Sequence, residues 1–215
     1  MIASGKIRSL IIVMPNGNRV EEDATTTSIY DDRCKTGLDI VARMLKALGD
    51  RFDRLMMYKV SCEGDFEEFI VKDLVGEIDS RYRTTGERYV GGFSIGGRGA
   101  MQLAFGNGDV FAGAFGMSGN YDYLRRALRD EEIAPLNGMK LFLATGDKDQ
   151  RGVYGEINTY LFDKELDRQG LDHLYCRYSG AHGDTVWVTA VPHALRYIAG
   201  TDMETSAEAR TCESL

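Results

Sequence analysis

The chain holds one serine whose neighbours suit it to attack a carbonyl. Ser94 lies in Gly92-Phe93-Ser94-Ile95-Gly96-Gly97, a G-x-S-x-G pattern. Tyr89 and Val90 precede it as an apolar run, and a helix-like stretch from Arg98 to Phe105 follows. A serine on a sharp strand-to-helix turn sits in strained backbone, so its neighbours across the turn must be nearly free of side chain. The N-terminus of the following helix favours negative charge developing at the serine.

A serine hydroxyl is a poor nucleophile until a base removes its proton. That base is usually a histidine oriented by a carboxylate. The chain has three histidines. His182 lies in the small-residue loop Ser179-Gly180-Ala181-His182-Gly183, where its ring can reach outward. His193 stands beside Pro192 on a helix and reads as a surface or packing residue. His173 stands at the entry to a strand, the wrong end for the active edge. Two carboxylates compete for the acid role, Asp147 and Asp149 in Gly146-Asp147-Lys148-Asp149. Asp149 is preferred because it lies further into the loop, with more freedom to reach His182; both also fit ordinary turn aspartates. Competing glycine motifs fail. No G-x-G-x-x-G surrounds Ser94, no Walker lysine follows Gly96-Gly97, and Gly116-Met117-Ser118-Gly119 lacks a glycine two residues after its serine.

The elements that must carry these residues alternate. Leu10 to Met14 reads as a strand, ended by Pro15-Asn16-Gly17-Asn18. Leu38 to Leu48 keeps helical spacing and ends at Gly49. Arg54 to Val60 reads as a strand, and Phe66, Ile70, Leu74 and Ile78 mark a helix. Strands follow at Tyr89 to Phe93, Val110 to Met117, Leu141 to Ala144 and Leu174 to Tyr178. Helices follow at Tyr123 to Leu128, at Ile157 to Leu166 with Gly170 as its stop, and at Val191 to Ile198 with Pro192 near its start. Such alternation predicts a mostly parallel sheet with helices on both faces. Chemistry in such sheets gathers at the carboxyl ends of the strands, where Ser94, Asp149 and His182 would all lie. Neither repeats nor a linker interrupts the pattern. This predicts one domain over residues 1–200 and a frayed tail over 201–215.

Composition narrows the class. A net charge of −7 with a pI near 5.1 argues against nucleic acid as a partner. The apolar run at Leu10 to Met14 is far too short to span a membrane, and no signal-peptide core is present. Cys34, Cys62, Cys176 and Cys212 show no C-x-x-C or zinc spacing. They are expected as free thiols in a reducing, cytoplasmic compartment, with secretion the alternative if a further N-terminal segment exists. No metal or cofactor is implied.

Together these residues resemble the putative-esterase family of α/β-hydrolases, which includes feruloyl esterases, acetylxylan esterases and S-formylglutathione hydrolase. The likeness runs from Asp65 through Thr84 and Gly92 to Ala100, then Phe111 to Gly119, Thr145 to Asp149 and Gly180 to Trp187. The order Ser…Asp…His is also that of the α/β-hydrolases. The resemblance implies Ser94 as nucleophile, Asp149 as acid, His182 as base and the backbone N–H of Ile95 as an oxyanion donor. It implies a serine carboxylesterase acting on a small-molecule or carbohydrate-linked ester. An acyltransferase of the same fold, or a catalytically weak interaction module, is the alternative. Ala3 to Gly17 resembles a family segment that normally follows further strands, so the fold is expected to be shortened at the N-terminus. An amide of Asn16, Gly17 or Asn18 would then complete the oxyanion hole, or the sheet edge would pair in a homodimer. Residues 21–62 are longer than the family pattern and would form a lid or a covering helix.

Overall fold

The computed structural model describes residues 9–13, 67–129, 138–150, 155–200 and 212. The chain divides into two compact units, one of Met1–Leu10 with Gly86–Leu215 and one of Ile11–Thr85. In the smaller unit the stripe Ile70, Leu74, Ile78 builds one continuous helical run. It is a π-helical turn over Phe69–Leu74, where the Val75 amide donates to the Ile70 carbonyl, leading into α1, Val75–Arg81. The segments read as a helix over 38–48 and a strand over 54–60 lie outside the described residues.

The larger unit is built from β1 (Tyr89–Phe93), α2 (Ile95–Gly106), β2 (Gly113–Met117), α3 (Asp122–Arg129), β3 (Lys140–Gly146), α4 (Glu156–Gln169), β4 (His173–Tyr178) and α5 (Asp184–Ala199). The four strands form one parallel sheet in the order β1-β2-β3-β4, with Phe93 opposite Met117, Met117 opposite Ala144 and Gly146 opposite Tyr178. Helices cover both faces. Met117, Phe142, Ala144, Cys176 and Tyr178 face α5 through Val186, Ala190 and Ala194. Alternate residues face the other way, where a Cβ at Gly116 would meet Met101 of α2 and Tyr121. β3 is buried from Leu141 to Gly146, as a strand covered on both sides must be. This is the parallel sheet with helices on both faces that the alternation predicted.

Three readings change. Leu10 to Val13 has no regular structure, although Leu10 packs against the core. A β-branched run becomes a strand only when a neighbour pairs with it, and no described strand does. β2 begins at Gly113 rather than Val110, because Val110 and Phe111 close a turn on the Asn107 carbonyl. The last helix begins at Asp184, so Pro192 lies in its interior rather than near its start. The buried stripe Val186, Ala190, Ala194 and Ile198 runs past the proline on both sides, and that packing offsets the lost backbone bond.

The free-thiol reading fails for two cysteines. Cys176, buried in β4, is bridged to Cys212, with the Cα atoms 5.4 Å apart. No local spacing betrays a bridge between residues 36 apart in sequence. The bridge also removes the thiol argument for a reducing compartment. Cys34 and Cys62 lie outside the described residues. Closing a loop of that size restricts the unfolded chain, so Cys212→Ser is expected to lower stability by about 2–4 kcal/mol. Urea unfolding of both proteins under oxidising conditions checks this.

His193 is buried at 6% exposure, and its Nδ1 meets the Tyr178 hydroxyl at 2.5 Å. Burial first, then the Arg196 charge, hold its pKa below the ordinary value. In the unfolded chain it takes up a proton near pH 6.5, while in the folded protein it does so only at lower pH. The neutral form therefore stabilises the fold above that pH, and stability falls as the pH drops from about 6.5 toward the folded value. His193→Gln is expected to flatten the fall in melting temperature over that window relative to the parent. Among the described residues no helix is long and apolar enough to cross a membrane.

Candidate active site

β1 delivers the chain to Ser94 and α2 begins one residue later. Ser94 has φ 58° and ψ −119°, a conformation that side chains rarely adopt. The turn closes only because its flanks are glycine. A Cβ at Gly92 would lie 2.3 Å from the Gly96 carbonyl group. A Cβ at Gly97 would lie 2.9 Å from the backbone of Met117. The Ser94 amide donates to the Met117 carbonyl at 2.7 Å, tying the turn to β2. Ser94 is the N-cap of α2, yet its hydroxyl makes no capping bond and is free to point elsewhere.

It points to His182. Ser94 Oγ lies 2.9 Å from His182 Nε2, and His182 Nδ1 lies 2.9 Å and 3.1 Å from the two carboxylate oxygens of Asp149. An ionised carboxylate can only accept, so the ring proton sits on Nδ1. Nε2 is then the acceptor for the serine O–H. The Asp149 side chain is fully buried and that of His182 is 13% exposed. Such a line has the geometry to pass a proton from a serine to an imidazole and to hold the resulting cation against a desolvated carboxylate. The Ile95 amide opens α2 beside the serine, among the first-turn amides that have no acceptor within their own helix.

Asp149 and His182 both stand on loops. Asp149 is fixed by its amide donating to the Gly146 carbonyl and by its carbonyl accepting from Glu156. The Phe93 ring lies 4.7 Å from the His182 ring, centroid to centroid, with Trp187 at its edge. Asp147 is not in the line: its carboxylate accepts from the Gly180 amide at 2.9 Å. His173 opens β4, at the opposite end of the strand, as expected.

Sequence reasoning missed Gly155 and Phe93. A Cβ at Gly155, which has φ 90°, would lie 2.5 Å from Asp149 Oδ1, so only glycine leaves room for the carboxylate. Its signal was a glycine directly before a helix. Phe93 was visible only as a strand residue. Asn16, Gly17, Asn18 and residues 21–62 lie outside the described residues. Among the described residues one group, Asp163, Asp167 and His173, brings metal-type ligand atoms within 4.8 Å of one another. Lys164 already binds both carboxylates there, at 3.1 Å and 2.7 Å.

The fold has counterparts in solved structures. The enterobactin esterase FES from Shigella flexneri superposes with a TM-score of 0.57 at 16% identity, over 63% of this chain and 38% of its own. A ferulic acid esterase gives 0.53 at 17% identity, over 62% and 60%. An IroE-like serine hydrolase from Shewanella oneidensis gives 0.53 at 21% identity, over 66% and 49%. These likenesses are in fold, and the matched region spans less than two thirds of each of those proteins. A search of curated proteins returned no match. The model of the family described as "Putative esterase" matches residues 55–198. With more than half of its 215 residues in that match, the chain belongs to the Putative esterase family.

Proposed function

We propose that the chain is a serine carboxylesterase that works through an acyl-enzyme. Ser94 attacks the ester carbonyl while His182 takes its proton, and the C–O bond to the alcohol breaks as His182 returns that proton to the leaving oxygen. His182 then takes a proton from water as its oxygen attacks the acyl carbon, and the bond from that carbon to Ser94 Oγ breaks as His182 returns the proton to Oγ, releasing the acid. Asp149 orients the imidazole and stabilises its cation, and the Ile95 amide faces the developing oxyanion. One such donor is worth about 10²–10³ in kcat. The observation that carries this reading is the line Ser94 Oγ, His182, Asp149, with 2.9 Å on each side of the ring. Membership of an esterase family supports the same chemistry. For the substrate we propose a feruloyl or carbohydrate-linked acyl ester, the class the family resemblance implies; a ferulic acid esterase shares the fold.

A p-nitrophenyl ester series of increasing acyl length tests the reaction. Hydrolysis is expected with an initial burst of p-nitrophenol, one equivalent per protein, wherever deacylation is the slower step. No turnover on any ester, or turnover unchanged by Ser94→Ala, contradicts the proposal.

A further inference from the structure

The acid loop and the base loop are stitched together beyond the ends of their strands. The Asp147 amide donates to the Tyr178 carbonyl at 2.8 Å, and the Lys148 amide donates to the Gly180 carbonyl at 2.8 Å. The pairing of Gly146 with Tyr178 thus continues for two more residues into the loops. The third contact is of another kind. The Gly180 amide donates to Asp147 Oδ1 at 2.9 Å. A side chain from the acid loop therefore holds the backbone that carries His182 two residues later. Gly180 has φ 149°, and a Cβ at Gly146 would lie 2.2 Å from the Gly180 oxygen, so both glycines are needed for this approach.

We propose that Asp147 is a positioning residue for His182. Its carboxylate fixes Gly180, and so sets the distance from the imidazole to Asp149 on one side and Ser94 on the other. This gives the two aspartates of Gly146-Asp147-Lys148-Asp149 different tasks: Asp149 touches the ring, and Asp147 holds the loop from which the ring projects. What Asp147 supplies is an acceptor for an amide, which an asparagine oxygen also supplies and alanine does not. The proposal rests on His182 being the base of the proposed esterase.

The test compares Asp147→Ala and Asp147→Asn with the parent, as full chains. Two readouts are taken: kcat and KM on a p-nitrophenyl ester, and the downfield proton resonance of the His182 Nδ1–H bonded to Asp149. Asp147→Ala is expected to lower kcat by about 10- to 100-fold, the cost of a small misplacement. KM should stay nearly constant, and the resonance should broaden by exchange with water. Asp147→Asn is expected to restore most of kcat and the resonance. A thermal melt shows that each variant folds. If alanine and asparagine behave alike the proposal is overturned. Equal retention means the bond positions nothing, and equal loss means the charge itself acts. If the parent hydrolyses no ester, the resonance alone still decides the positioning role, and the failure belongs to the esterase reading.

Discussion

Ser94→Ala is expected to lower kcat for ester hydrolysis by about 10⁴- to 10⁶-fold, with the protein still folded. The serine is the only atom source for the covalent intermediate in the proposed reaction, and water held by the remaining groups replaces it poorly. His182→Ala is expected to cost a similar amount, because the hydroxyl at 2.9 Å from Nε2 loses the group that takes its proton. The double variant should be no slower than either single one, since residues acting as a unit are strongly non-additive. Additive losses would mean that the two act separately. Stability should change little in Ser94→Ala: the hydroxyl makes no capping bond to its own helix, and the one bond lost is that to the part-buried His182 Nε2. The strained φ of 58° remains in the variant.

Asp149→Asn is expected to lower kcat by about 10⁴-fold. The carboxylate faces Nδ1 with both oxygens, at 2.9 Å and 3.1 Å, and it is fully buried. An amide in its place can turn its NH₂ toward Nδ1, which moves the ring proton to Nε2 and aims it at the serine. The negative charge that stabilises the imidazolium is also gone, and no solvent reaches the position to replace it. Asp147→Asn should lose far less, because its partner is an amide N–H rather than the ring. The two kcat values, measured on one ester at one pH, decide the assignment. The reverse ranking would move the acid role to Asp147.

The pattern of strands and helices was legible because both faces of the sheet are covered. Buried runs such as Leu141 to Ala144 stand out against polar loops, and Ser94, Asp149 and His182 each follow such a run directly or within a short loop. The serine was the easiest to place, since a positive φ with glycines at 92, 96 and 97 leaves a mark in sequence. Asp149 and Asp147 were separable only by preference, because choosing between them needs the direction of a loop. What escaped was non-local. The bridge from Cys176 to Cys212, the hydroxyl of Tyr178 on His193 and the Asp147 bond to Gly180 each join residues 15 to 36 apart. No local spacing encodes such contacts. The start of α5 escaped for a local reason: the proline at 192, favoured in the first turn of a helix, argues for a start beside it, and the buried stripe from Val186 to Ile198 outweighs it.

The claim that Ser94 is an activated nucleophile is tested most directly by a fluorophosphonate probe followed by mapping of the adduct by mass spectrometry. One adduct is expected, on Ser94, formed quickly in the parent, slowly in His182→Ala and absent in Ser94→Ala. An adduct on another residue, or labelling that survives Ser94→Ala, would contradict it.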